Sequence, residues 1–139
     1  DAQKKFYINQ YFPFLDKRLI CLIVDEKDDV VAFGVSMPSL SKALRKCKGK
    51  LFPFGWVHIL KALKTFDNID LYLNGVKPEW QNKGVHSIYY SEMNKRYISL
   101  GVKMAIANPQ LETNQAANIW EKYESRIAIR RRAYIKTIE

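Results

Sequence analysis

The sequence predicts one mixed α/β (α+β) domain, a mostly antiparallel sheet flanked by helices. Three observations predict it. Two β-prone runs meet across a polar turn near the start, two helical periods follow, and a strand–loop–helix–strand unit fills the second half. At 139 residues the chain is long enough for one ordinary core, and a charged share of 27% beside an apolar share of 47% excludes a disordered composition. No repeat, low-complexity tract or linker divides it, so a single domain over residues 1–139 is expected.

The chain opens at Asp1 on an aromatic cluster, Phe6, Tyr7, Tyr11, Phe12 and Phe14, and reads as a segment cut from a longer protein. Residues 18–24 form an apolar run, residues 25–29 a polar turn, and residues 30–36 a second run carrying Val30, Val31, Phe33 and Val35, together a β-hairpin. Pro38 closes the second strand. Ser39 or Ser41 is placed to cap a short helix whose Leu40, Ala43, Leu44 and Cys47 fall at i, i+3, i+4 and i+7, with Gly49 ending it. Phe52, Trp56, Ile59, Leu60 and Leu63 keep helical spacing, which places a second helix over residues 53–65.

Residues 69–76 alternate Ile69, Leu71 and Leu73 as a strand, and Pro78 stops it because proline cannot extend a ladder. From Gly84 the period changes to 3.6, with Val85, Ile88, Tyr89, Met93, Tyr97 and Leu100 on one face and Gly101 as the residue after the C-cap. Residues 102–107 make another strand. Asn108-Pro109 breaks the chain, Thr113 or Asn114 can cap a helix bearing Ala116, Ala117, Trp120 and Tyr123, and residues 130–138 are expected to close the sheet as a last strand.

Lys and Arg number 23 against 14 Asp and Glu, a formal net charge of +9, and this excess calls for an anionic partner: nucleic acid, an anionic surface or a phosphorylated cofactor. Cys21 and Cys47 are too few for a disulfide framework and are read as reduced thiols. Two histidines and two cysteines at no ligand spacing predict no metal. No run reaches the roughly 20 apolar residues of a membrane span, and a cytoplasmic protein is expected.

The chemistry-bearing segment is Val76-Lys77-Pro78-Glu79-Trp80-Gln81-Asn82-Lys83-Gly84-Val85-His86, where a strand ends, a basic loop turns and a long helix starts at a glycine. The first amides of a helix have no intrahelical acceptor and the macrodipole adds positive charge, which suits a diphosphate. Lys77 and Lys83 add cations, and a glycine at 84 keeps a Cβ out of the ligand's path.

Gln81-Asn82-Lys83-Gly84-Val85 resembles the cofactor loop of the GNAT (general amine N-acyltransferase) superfamily: Gln or Arg, two residues, Gly, one residue, then Gly or Ala. Asn114 with Ala117 is similar to the Asn-x-x-Ala start of that superfamily's next helix. The resemblance covers residues 69–136, and residues 18–36 match the family's second and third strands more loosely. It implies a sheet with a two-helix insertion, residues 39–65, between the family's third and fourth strands, and a missing first strand and first helices that would pack on this segment.

The resemblance also implies acetyl-CoA as acyl donor and an amine as acceptor, with Val76, Lys77, Gln81, Asn82, Lys83, Gly84, Val85, His86 and Asn114 binding the cofactor. The family's fourth and fifth strands splay apart to admit the pantetheine arm, which here means residues 69–76 and 102–107, with the Val76 N–H facing the thioester carbonyl. Asp70 matches a fourth-strand glutamate and is the candidate base. His86 stands where the family prefers Gly or Ala, and Trp120 where it commonly has a tyrosine acid, so Tyr123 becomes the candidate acid. Two other readings remain: an inactive acyl-CoA-binding or structural lobe of the same fold, and a basic nucleic-acid-binding module built on Arg130, Arg131, Arg132 and the run at residues 45–50.

Overall fold

Four strands form one sheet in chain order, β1 (Ile20–Val24), β2 (Val30–Pro38), β3 (Asn68–Val76) and β4 (Met104–Ala107). The computed structural model describes residues 2–137. The chain divides into two compact units, Asp1–Asn108 and Pro109–Glu139. The sheet and its four helices, α1 (Ala2–Tyr11), α2 (Ser41–Lys46), α3 (Gly55–Leu63) and α4 (Val85–Ser99), belong to the first.

β1 and β2 are the expected hairpin, paired antiparallel from Ile20↔Val35 to Val24↔Val30 around the turn where Asp25 Oδ1 accepts from the amides of Lys27 and Asp29. β2 and β3 are also antiparallel, and β3 and β4 are parallel, linked through α4 because parallel neighbours need a crossover connection. The mixed, mostly antiparallel sheet is therefore the predicted one. Residues 17–19 form a 3-10 turn ahead of β1, started by the Asp16 carboxylate accepting from the Arg18 amide.

α4 packs on the face of the sheet made by Ala32, Gly34, Ser36 and Ile69. Val85, Tyr89, Met93 and Tyr97 are buried as the period predicted, but Tyr90 is buried in place of Ile88, which is 58% exposed. The reason is polar: the Tyr90 hydroxyl accepts from Asn74 Nδ2 at 3.1 Å, so turning this edge of the helix inward satisfies two groups at once. Gly34 makes room for the ring of Tyr89, which an added Cβ would overlap. Arg96 ties the helix to β1, donating to the Ile20 carbonyl at 2.9 Å while paired with Glu92. The helix ends as expected at Gly101, φ 74°, with the Val102 amide donating to the Tyr97 carbonyl.

Three hydroxyls meet in this core. Ser36 Oγ and Tyr97 OH lie 2.6 Å apart, and the Tyr89 hydroxyl joins them. Burial pushes both phenols above the ordinary tyrosine value of 10.0. A phenol held protonated by the fold contributes stability that is complete below the unfolded pKa and is lost as pH rises past about 10. The urea midpoint is expected to fall from pH 10 upward, and Tyr97→Phe should flatten that fall while costing about 1–2 kcal/mol at neutral pH. An alkaline slope unchanged in Tyr97→Phe would contradict this.

The insertion between β2 and β3 forms the two expected helices, shorter than their apolar periods. α2 starts at Leu40 with no side-chain cap, so neither Ser39 nor Ser41 caps it; their hydroxyls bond each other at 3.3 Å. α3 covers Gly55–Leu63 inside the predicted 53–65, beginning where the Gly55 backbone touches Lys50 too closely for any Cβ. Residues 2–11 carry no helical apolar period, yet they form α1. In the second unit the predicted helix is a 3-10 segment, Gln115–Lys122, and the predicted last strand is not observed over residues 130–137, whose backbone pairs with nothing described; Ile138 lies outside the described residues. Alternating isoleucines, tyrosine and arginines suggested that strand, but Ile127, Ile129, Tyr134 and Ile135 stay exposed, so no face is buried to hold it.

Candidate functional site

β3 is paired on both sides for only half its length. β4 covers Asn68 to Leu71 and ends at Ala107, whereas β2 continues along β3 to Val76. The Lys77 amide donates to the Val31 carbonyl at 2.9 Å, so in this antiparallel ladder the neighbouring N–H and C=O of Val76, and by alternation those of Asn74, turn to the side that β4 has left. The Val76 carbonyl accepts from the Gln81 side-chain amide at 3.4 Å. All four residues of β4 stay paired with β3, so the two strands do not splay as expected; β4 stops short, and the edge of β3 beyond Leu71, with the amide of Val76, is left open, without a partner strand among the described residues.

A bulge lies where β4 ends. Val35 opposes Leu73 and Ser36 opposes Leu71, leaving Tyr72 as the extra residue. The Tyr72 carbonyl is taken up by Asn108 Nδ2 at 2.7 Å, just past the end of β4, which marks the place where the opening begins. Nothing in the sequence announces this contact.

At the other end of the opening lies the loop from Lys77 to Gly84. Pro78–Trp80 form a 3-10 turn, Asn82 is left-handed at φ 60° and Gly84 at φ 78°, ψ 5°. Asparagine and glycine are the residues that adopt this region at least cost, and successive turns of this hand point amides into a common concavity. Gly84 is the N-cap of α4, no side chain caps the helix, and an added Cβ at 84 would meet nothing within 4 Å. The amides of Val85 and His86 precede the first intrahelical bonds, those of Ser87 and Ile88 to the Gly84 carbonyl. Lys77 is exposed, Lys83 lies with Nζ 5.2 Å from the Trp80 ring centroid, and His86 is half-buried in the first turn. Val76, Lys77, Gln81, Asn82, Lys83, Gly84, Val85 and His86 are therefore gathered in one strand end, loop and helix start.

Asp70 sits at the paired end of β3, half-buried, opposite Met37 on β2 and Ile106 on β4. Met37 and Asp70 share the sheet face away from α4. On that face an apolar cavity of about 1020 Å³ opens between the sheet, α1 and α3, lined by Met37, Val35, Tyr72 and Leu73 among others. Asp70 is not one of its lining residues.

The remaining predicted residues belong to the second unit. Asn114 opens the 3-10 segment, its carbonyl accepting from the Ala117 amide, and Tyr123 lies with its ring 6.4 Å from Trp120. The Trp120 indole donates to Gln110 Oε1 at 3.1 Å. Arg130, Arg131 and Arg132 are exposed and lie outside any strand. Cys21 is buried and its thiol is pushed up by burial, the mark of an inert core residue. Among the described residues no His, Cys, Asp and Glu cluster suits a metal ion, and no helix is long and apolar enough to cross a membrane.

No protein-family model and no curated protein matches the sequence. Solved structures do. An aminoglycoside N-acetyltransferase, AAC(6')-Iy in complex with CoA, superposes with a TM-score of 0.58 at 10% identity, covering 98% of this chain and 88% of that one. An aminoglycoside acetyltransferase from an uncultured soil metagenomic sample, in complex with trehalose, gives 0.53 at 11% identity over 94% of this chain and 74% of that one. The GNAT fold read from the cofactor-loop motif is the fold observed.

Proposed function

We propose that this chain binds an acyl-CoA along the uncovered edge of β3 and transfers its acyl group to a primary amine. The observation that carries the reading is the juxtaposition of a strand edge open from Tyr72 to Val76 with a left-handed, uncapped helix start at Gly84. The diphosphate would take the amides of Gly84, Val85 and His86, with Lys77 and Lys83 supplying charge; the pantetheine amides would pair with the free edge at Asn74 and Val76. That one of the proteins sharing the fold is in complex with CoA supports the assignment.

In the reaction the amine lone pair attacks the thioester carbonyl, the C–N bond forms and the C–S bond breaks. The electron pair leaves with the CoA thiolate, and the proton lost by the amine balances the proton the thiolate takes up. Charge develops on the carbonyl oxygen, and an edge amide such as that of Val76 is the donor to meet it. Much of the rate comes from holding the two reactants in line, which supplies roughly 7–11 kcal/mol without further side chains. Asp70 is the proposed base for the ammonium and Tyr123 the proposed acid; Asn114 is proposed to bind cofactor.

The test pairs binding with turnover. Calorimetric titration with CoA is expected to give micromolar affinity, and thiol release from an acyl-CoA, offered as both acetyl-CoA and octanoyl-CoA, is expected with at least one member of a broad amine panel. Asp70→Asn should lower kcat about a hundredfold and leave the CoA affinity alone. Absence of CoA binding overturns the assignment. Binding without turnover on any amine favours the inactive lobe, the reading to which Trp120 in place of a tyrosine points. Steep loss of DNA affinity with salt, in a chain that ignores CoA, would favour the basic module.

A further inference from the structure

The apolar cavity beside the opening carries a statement about the acyl group. It measures about 1020 Å³, at the upper end of small-molecule pockets, and none of its lining residues is charged. Two of its polar groups are already engaged: the Trp56 indole donates to the Pro53 carbonyl at 2.9 Å, and the Asn108 amide nitrogen donates to the Tyr72 carbonyl. Tyr72 and Leu73 belong both to its wall and to the start of the free β3 edge, so cavity and strand edge are continuous at the bulge.

An amine acceptor arrives as an ammonium ion, and a wall without a carboxylate, in a chain of net charge +9, offers it nothing. A neutral aliphatic chain attached to a polyanionic carrier has the opposite profile: its head suits the basic loop and its tail suits the cavity. Resting on the acyl-CoA reading above, we infer that the cavity between the sheet, α1 and α3 holds the hydrocarbon tail of a medium- or long-chain acyl-CoA, and that the group transferred is a fatty acyl group rather than acetyl. The bulge is what makes this possible, because it turns Leu73 from the α4 side of the sheet to the cavity side.

The experiment is a chain-length series by calorimetry, using CoA, acetyl-CoA, butyryl-CoA, octanoyl-CoA and decanoyl-CoA, with octylamine as a control. Burial of each methylene should tighten binding about fourfold, so octanoyl-CoA is expected to bind at least about a hundredfold more tightly than acetyl-CoA. In Leu60→Trp, which fills the cavity from an exposed position on α3, the difference should shrink below tenfold. The wild-type series decides the matter even if that variant fails to fold. Equal affinities across the series, with CoA itself still bound, overturn the fatty-acyl inference and leave the acyl-CoA site standing. Octylamine binding that competes with no acyl-CoA assigns the cavity to the acceptor, and a dimer abolished by Leu60→Trp with an unchanged chain-length series assigns it to a second copy; either result overturns the inference. Failure of every CoA species to bind overturns both readings together.

Discussion

Gly84→Asp is expected to weaken CoA binding at least about a hundredfold while leaving the fold in place. Gly84 is left-handed, and its absent Cβ faces open space, so a side chain there meets no protein atom. Aspartate is among the few residues that adopt this backbone region, at a cost of about 1 kcal/mol or so. Its carboxylate would stand at the amides of Val85 and His86, where the diphosphate is proposed to bind. It would replace an attraction of about 0.3–1 kcal/mol per contact with repulsion between like charges. Gly84→Asn is the control of nearly equal shape. If charge is the cause, Asn should lose less than tenfold; if both variants bind CoA as the parent does, the diphosphate does not lie at this loop.

Gly34→Ala is expected to be strongly destabilising. A Cβ at Gly34 would overlap the Tyr89 ring itself, and that ring cannot step aside. It is 4% exposed, stacks edge-on against Tyr90 with centroids 4.7 Å apart, and its hydroxyl joins the Ser36–Tyr97 pair. Relief requires α4 to lift from the sheet. Overpacking of this kind costs about 3 kcal/mol, which for a chain of this size lowers Tm by roughly 10 °C. Because α4 also carries the loop at its N-terminus, CoA affinity should fall along with stability. A melting temperature within 2 °C or so of the parent, measured by differential scanning calorimetry, would show that α4 is not seated as described.

Gly75, which also has a close neighbour, behaves differently. There an added Cβ would meet the end of the Phe33 ring, which is 40% exposed and free to swing. The contrast shows that what matters is the freedom of the atom opposite.

Sequence by itself determined the hairpin, α4 with its terminating Gly101, and the loop with its glycine, because each is written in local terms: a turn of polar residues, a 3.6-residue period, a residue with no Cβ at a helix start. It misplaced what depends on distant partners. Ile69, Leu71 and Leu73 alternate as though all three faced one side, yet the bulge at Tyr72 puts Leu73 opposite Val35 and Leu71 opposite Ser36, on opposite faces. Period alone cannot reveal an extra residue in a ladder, since the slip is set by β2 and by the Asn108 amide that takes the Tyr72 carbonyl. Likewise, Tyr90 displaced Ile88 from the core only because Asn74 lies across from it. The unpaired stretch of β3 and the apolar cavity beside it arise because β4 stops at Ala107 while β2 runs on to Val76's register partner Ala32, a mismatch of strand lengths that exists only once the strands are side by side.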